Sequence, residues 1–294
     1  MKIEVQTGTS KEKEIRKKEI TYFLDLIGKK IINELNLKKI IVSSNLNETV
    51  NKLENNKNYK AKRYMVECQA RIIIGKDNEK YIVFSDFWNN FLDQNLRFFF
   101  FSHEIYHLFN DIILPKIVCD GTSKSKYLVI LYNIYNEYSA NRFSIDIFKK
   151  PLDEKLKNCF TSLYDGYFIP LQNPDTFYKP LKLEILKFRI GNIDINEFFK
   201  RSSVFIEPIY IYLSYIFAYK ESLCFIEEKF NKSDKNLFIN KYTYNLFNKI
   251  RIWYERKEKI NFEDGLEEIK EFLSSLSISF QDTSQGLYIN VLDI

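Results

Sequence analysis

The only two histidines of the chain, His103 and His107, lie four residues apart, and Glu104 directly follows the first of them. Residues four apart on a helix share one face, so both imidazoles can bind one metal ion if this segment is helical. Glu104 would then lie about 100° around the helix from His103, within reach of a water at the metal. This H-E-x-x-H spacing predicts a metal site with two histidine ligands and a glutamate general base.

A catalytic zinc site has three protein ligands and keeps a fourth position open for water. We consider Asp111, Asp120 and Glu137 for the third ligand. Asp111 follows His107 by four residues, so the chain would need an abrupt reversal to bring its carboxylate to the metal. Asp120 lies in a predicted loop and remains a possible ligand. We favour Glu137, because it lies on a predicted helix, where packing would hold a ligand rigidly.

Glu137 lies on an otherwise apolar face of its predicted helix. A buried carboxylate needs a cation beside it, which is either a metal ion or a lysine or arginine side chain. Asn141 lies one turn after Glu137, where its side-chain oxygen can accept a hydrogen bond from the histidine nitrogen that does not bind the metal. We therefore expect Asn141 to orient one of the histidine ligands.

Two predicted elements would position this motif. Its helix is predicted at residues 87–110, where apolar residues recur at steps of three and four. A β-hairpin is predicted just before it, with strands at residues 64–74 and 81–84 and a turn at residues 75–78. The edge of this sheet could hold an extended peptide by backbone pairing, although a purely structural sheet gives the same pattern.

The predicted fold class is α+β and mainly helical, because glycine and proline are scarce and helical periodicity is frequent. Residues 166–180 hold three of the six prolines. They predict a boundary between a domain at residues 1–165 and a helical C-terminal domain at residues 166–294. The remaining predicted helices are residues 11–36, 124–149, 153–164, 180–189, 194–201, 204–229, 235–257 and 264–275, and the remaining predicted strands are residues 40–42 and 287–292.

Charge and cysteine spacing exclude several classes of protein. The net charge is +5 and basic residues alternate with acidic ones, which disfavours a nucleic-acid-binding surface. The four cysteines are far apart and form no C-x-x-C pair, so a zinc ribbon and a thioredoxin-type motif are excluded. These cysteines are Cys68, Cys119, Cys159 and Cys224.

The sequence shows no segment that predicts a membrane or secretory location. Its first residues form no apolar signal region, so the predicted location is cytoplasmic. The longest apolar run, residues 204–219, is interrupted by Glu207 and Pro208. It is also shorter than the ~20 residues that a membrane-spanning helix needs.

Two segments resemble motifs of the ImmA/IrrE metallopeptidases. Residues 97–107, R-F-F-F-F-S-H-E-I-Y-H, resemble the R-x-F-x-x-A-H-E-x-x-H segment of that family. Residues 137–144, E-Y-S-A-N-R-F-S, followed by Pro151, resemble its E-x-x-A-N-x-F-A signature. Ser102 and Ser144 replace the usual alanines. The resemblance covers residues 60–152.

This resemblance implies a zincin-like metallopeptidase domain with a small β-sheet, and Zn²⁺ as the cofactor. It implies that His103, His107 and Glu137 bind the zinc and that Glu104 is the catalytic base. Family members often cleave a repressor protein in stress response or in the control of mobile elements. We therefore expect a bacterial or phage setting and a protein or peptide substrate, such as a transcriptional regulator.

Two other functions fit the same sequence. One is a zincin-like regulatory or effector protein that binds a partner without turnover, and the other is a metal hydrolase that acts on a different bond. The sequence does not select the residue that would stabilise an oxyanion, which is a tyrosine or Arg142. The apolar run is interpreted as a buried helix rather than a ligand pocket, although it contains Tyr210, Tyr212, Tyr215 and Tyr219.

Overall fold

The computed structural model describes residues 1–55, 62–63, 66–67, 70–74, 79–86, 88, 93–148, 152–223, 238–256, 260–284 and 286–291. The chain forms two compact units, Met1–Ile113 with Phe143–Pro151 and Leu114–Arg142 with Leu152–Ile294. Helices predominate in the described residues, and a four-stranded mixed sheet accompanies them. The predicted class, α+β and mainly helical, is therefore confirmed.

The first unit combines this sheet with four helices in the described residues. The strands of the sheet are β1 (Lys2–Val5), β2 (Leu37–Val42), β5 (Ala70–Ile74) and β6 (Lys80–Phe84), and a separate short pair is β3 (Lys62–Arg63) with β4 (Val66–Glu67). The helices are α1 (Ser10–Ile27), α2 (Lys29–Glu34), α3 (Leu46–Glu54) and α4 (Gln94–Ile113). The sheet order is β1-β2-β6-β5, in which β1, β2 and β6 are parallel and β5 is antiparallel to β6.

β4 and β5 lie within the strand predicted at residues 64–74, and β6 includes the one predicted at residues 81–84, while residues 64–65 and 68–69 lie outside the described residues. β5 and β6 pair antiparallel, with Ile72 opposite Ile82. The predicted turn at residues 75–78 lies outside the described residues, as do residues 87 and 89–92 at the start of the predicted histidine helix. Cys68, Cys224 and Pro151 lie outside them as well.

The helix predicted at residues 11–36 is interrupted at Gly28. This glycine has a φ of 99°, in the left-handed region that side chains with a Cβ rarely adopt. α1 therefore ends at Ile27 and a separate short helix, α2, begins at Lys29. The periodicity was continuous across the interruption, so only the backbone conformation of Gly28 separates the two helices.

Aromatic rings form the contact between α4 and the rest of the first unit. Phe101 is fully buried, and its ring stacks on that of Phe84 of the sheet, with centroids 5.3 Å apart. Phe23 of α1 contacts both Phe98 and Phe101, at 5.2 and 5.6 Å between centroids. The phenylalanine run before the histidines thus belongs to the core, and it presses one face of α4 against α1 and the sheet.

An ion pair also attaches the start of α4 to α1. Arg97 Nε donates a hydrogen bond to Glu19 Oε1 at 2.9 Å, and Arg97 Nη2 lies 2.8 Å from the same oxygen. Trp88 Nε1 donates to the other carboxylate oxygen. The side chains of Arg97 and Glu19 are 13% and 9% exposed, so each charge depends on the other for solvation.

The second unit is helical in its described residues, with one hairpin. Its helices are α5 (Ser123–Asp146, which continues into the first unit after Arg142), α6 (Glu154–Gln172), α7 (Tyr178–Arg189), α8 (Ile195–Ser222), α9 (Lys241–Arg256), a 3-10 helix (Phe262–Gly265) and α10 (Leu266–Ser275). The antiparallel hairpin is β7 (Ile278–Thr283) with β8 (Gly286–Val291). The sequence predicted the second of these strands but not the first.

Prolines interrupt the helices of this unit less than the sequence predicted. Pro170 lies inside α6, so the expected boundary at residue 165 falls within a continuous helix, and the two units differ from the expected segments 1–165 and 166–294. Pro208 lies inside α8, which joins the helices predicted at residues 194–201 and 204–229. A proline removes one backbone hydrogen bond, but burial on both sides of it can still hold the helix together. In the described part of the chain, the helices are too short or too polar to cross a membrane.

The ion pair between Glu19 of α1 and Arg97 of α4 leads to a prediction about stability. Glu19→Gln removes the charge partner of Arg97, and we expect the free energy of unfolding to fall by about 3 kcal/mol in urea titrations. Glu14→Gln is the matched control, because Glu14 lies on the same helix in an exposed pair with Lys17. It should cost less than about 1 kcal/mol. Equal losses in the two variants would contradict the importance of the buried pair.

Candidate metal centre

His103, His107 and Glu137 lie together in the structure. One ligand atom from each lies within 4.8 Å of the others, and among the described residues this is the only such group of three histidine, cysteine or acidic side chains. The two histidine Nε2 atoms are 2.9 Å apart. A tetrahedral ion with bonds of about 2.0–2.1 Å has its ligands about 3.3 Å apart. The group therefore has the donor atoms and spacing that could hold a metal ion.

The helical repeat of α4 brings the two imidazoles together. Their rings are 4.4 Å apart between centroids and nearly perpendicular, at 89°. His103 is buried, and burial together with the neighbouring His107 lowers the pKa of His103 well below its usual range. Its imidazole therefore stays neutral at physiological pH, which is the form that binds metal ions.

Tyr106 lies between the two histidines in the sequence and helps to hold this turn of α4. Its ring stacks on that of Phe143 of α5, with centroids 4.4 Å apart and an interplanar angle of 22°. Burial, and to a smaller extent Asp146, raise the pKa of Tyr106 to about 12, so its hydroxyl stays protonated. The contact joins α4 to the last turn of α5 within the first unit.

Glu104 lies on the same turn of α4 and is partly exposed. It is not a member of the three-ligand group found among the described residues. The sequence assigned it to proton transfer rather than to metal binding, and that role stays a prediction. A carboxylate with some exposure to water on the helix that carries both histidines has the position such a role needs.

Glu137 is held within the second unit by a tyrosine of α8. The Tyr215 hydroxyl donates a hydrogen bond to Glu137 Oε2 at 3.1 Å. The sequence did not select this residue, since nothing in its spacing distinguishes it from the other tyrosines among the 20 in the chain. The only available indication was the helical periodicity of residues 204–219, which predicted burial but not the neighbour of each side chain.

The other acidic candidates for the third ligand stand apart from the group. Asp111 is exposed at the end of α4. Asp120 is also exposed, and its carboxylate accepts hydrogen bonds from the backbone N–H and the hydroxyl of Thr122, at 3.0 and 2.7 Å. These bonds lower the pKa of Asp120 to about 2. Asp120 therefore shapes the turn before α5, and Glu137 is the carboxylate that meets the histidines.

Asn141 and Arg142 have other partners than those considered from the sequence. The Asn141 side-chain amide donates to the Glu137 carbonyl oxygen at 2.8 Å, and among the described residues it makes no hydrogen bond to either histidine. Arg142 contacts Glu221 at 2.8 Å and donates to the Tyr138 hydroxyl at 3.1 Å. Asn141 therefore stabilises a turn of α5 at Glu137, and Arg142 joins α5 to α8.

Comparison of the chain with protein-family models, curated proteins and solved structures found no match. The resemblance of residues 60–152 to the ImmA/IrrE metallopeptidases thus stays a prediction from two short motifs. The geometry of His103, His107 and Glu137 is independent of that resemblance and supports a metal site by itself.

The ligand group predicts the effect of single substitutions on metal binding. Glu137→Ala removes one of three donors. Loss of a residue that only contacts a ligand typically weakens metal binding by about 10- to 100-fold. We therefore expect loss of the ligand itself to raise the dissociation constant for a divalent ion by more than about 100-fold. Equilibrium dialysis with elemental analysis measures this constant. Asp111→Asn should leave it unchanged, because Asp111 is exposed and outside the group. The assignment is wrong if Glu137→Ala binds the ion as tightly as the wild type.

Proposed function

We propose that the protein is a zinc-dependent metallopeptidase that hydrolyses a peptide bond in a partner protein. The observation that carries this proposal is the meeting of His103, His107 and Glu137, with Glu104 following the first histidine on the same helix. Two imidazoles and one carboxylate form a standard catalytic zinc set, which leaves a position for water or substrate. The neutral form of His103 is consistent with that use.

The proposed chemistry divides the work among four side chains. Zinc, when bound, polarises the substrate carbonyl and lowers the pKa of water to about 7. His103, His107 and Glu137 hold and orient the ion. Glu104 accepts a proton from the attacking water as the oxygen–carbon bond forms. It then delivers this proton to the amine nitrogen as the carbon–nitrogen bond breaks, and so returns to its carboxylate form.

The sheet beside the histidine helix supports a peptide as substrate. In the part of the chain that the structure describes, β5 is the last strand of the four-stranded sheet, next to β6, and α4 packs against β5. An edge strand has backbone N–H and C=O groups directed away from the sheet, and an extended peptide can pair with them. We propose that the substrate binds as such an added strand, beside the helix that carries His103 and His107.

The two sequence motifs give this proposal its biological setting. Residues 97–107 and 137–144 resemble the ImmA/IrrE family, and on that basis we propose a zincin-like domain. We also propose a transcriptional regulator as the substrate and the cytoplasm of a bacterium, or of a cell infected by a phage, as the location. The C-terminal part of the chain falls outside the resemblance and is available for substrate selection.

The proposed base provides a direct test. Zinc-loaded wild-type protein and Glu104→Gln are incubated with a library of peptides derived from a whole proteome, and mass spectrometry identifies newly formed termini. We expect the wild type to cleave peptides and Glu104→Gln to lose about 10²–10⁴-fold in rate while it retains zinc, because it lacks only the proton acceptor.

Asp111→Asn is the control for this test and should cleave like the wild type. Undiminished cleavage by Glu104→Gln would show that Glu104 is not the catalytic base. A zinc-loaded wild type that produces no new termini would contradict the peptidase proposal. It would favour partner binding without turnover, or hydrolysis of a different bond.

A further inference from the structure

We infer that Tyr215 is a positioning residue for the metal site, and that its hydrogen bond to Glu137 sets how tightly the ion is held. This inference rests on the proposed function, in which Glu137 is the third ligand. Tyr215 lies on α8, more than 70 residues after the last ligand in the sequence, and its hydroxyl lies 3.1 Å from Glu137 Oε2. Because its hydroxyl contacts a ligand, we assign it the role of orienting that ligand.

A carboxylate ligand needs such a partner more than a histidine does. The Glu137 side chain has three rotatable bonds, and each of its oxygens can turn toward or away from the histidines. The O–H of Tyr215 fixes one oxygen and so restricts the direction of the other. Partners of this kind around metal ligands typically change metal affinity by about 10- to 100-fold.

The Tyr215 ring is itself held in place by another aromatic residue. The Tyr167 ring of α6 meets it edge-to-face, with centroids 4.5 Å apart and an interplanar angle of 78°. Edge-to-face contacts of this kind favour one ring orientation over others. The hydroxyl of Tyr215 therefore has little freedom to turn away from Glu137.

Polar contacts before and after this hydrogen bond fix the register of α5 and α8. Ser214, which is fully buried, donates to the Ile134 carbonyl oxygen at 3.2 Å, one turn before Glu137. Farther along the same two helices, Glu221 contacts Arg142 and accepts a hydrogen bond from the Tyr138 hydroxyl. Residue numbers increase together along both helices from one contact to the next, so α5 and α8 run parallel.

This register places the Tyr215 hydroxyl beside Glu137. Sliding α8 by one residue along α5 would break the buried Ser214 bond and the Arg142–Glu221 pair together. Separating the Arg142–Glu221 pair would be costly, because these side chains are only 12% and 16% exposed. The tyrosine hydroxyl is thus brought to Glu137 by bonds that do not involve the metal site.

Tyr215→Phe removes only the hydroxyl and tests the inference. Tyr212→Phe is the matched control, because Tyr212 lies three residues earlier on α8 and its ring also packs on Tyr167, at 5.3 Å between centroids. Among the described residues, Tyr212 makes no hydrogen bond to Glu137. Zinc dissociation constants are measured by competition with a chromophoric chelator, and the visible spectrum of the Co²⁺-substituted protein reports the geometry around the ion.

We expect Tyr215→Phe to raise the zinc dissociation constant by about 10- to 100-fold and to change the Co²⁺ spectrum. Tyr212→Phe should keep the wild-type constant and spectrum. Urea unfolding of the metal-free proteins should give similar free energies for both variants, which separates ligand orientation from general stability.

Three outcomes would overturn the inference. Wild-type affinity and spectrum in Tyr215→Phe would show that the hydroxyl does not orient Glu137, while the proposed function would stand. Equal losses of affinity in both variants would assign the effect to ring packing. Wild-type protein that binds no zinc at all would overturn the proposed function, and this inference with it.

Discussion

The short distance between two imidazole nitrogens is the constraint on which the rest of the candidate site depends. The Nε2 atoms of His103 and His107 lie 2.9 Å apart, so they share one proton or face one cation. Two protonated rings at this distance would repel each other strongly, the more so because His103 is buried. The helical repeat of α4 places both imidazoles on one face, which makes this separation possible. The remaining structure must supply a rigid setting for α4 and a third donor.

Different forces position the two kinds of ligand. The histidines are placed by burial of a whole helix face, in which Phe101 contacts Phe84 and the Arg97–Glu19 pair holds the first turn. Apolar burial is not directional, so it fixes where a helix lies but does not select the rotamer of a flexible carboxylate. Glu137 accordingly receives a directional contact, the hydrogen bond from Tyr215.

Local patterns predicted the histidine pair, the strands before it and the helix that carries Glu137, because spacing alone encodes them. Gly28 and Pro170 show where such patterns fail. A glycine at positive φ ended a helix whose periodicity continued, and a proline stayed inside a helix that packing supports. Tyr215 could not be predicted for a further reason. Its importance depends on which residue of another helix it meets, and that register is set by tertiary contacts such as the Ser214 bond to Ile134.

α5 contributes residues 123–142 to one compact unit and residues 143–146 to the other. The chain thus leaves the first unit and returns to it, so no single cut separates the two. A gene fragment ending at residue 113 would lose Phe143, whose ring supports Tyr106 on the histidine helix. A fragment of residues 1–148 would keep all three candidate ligands but not the tyrosine that orients one of them. A cut near the middle of the chain would therefore separate the candidate ligands from side chains that support them.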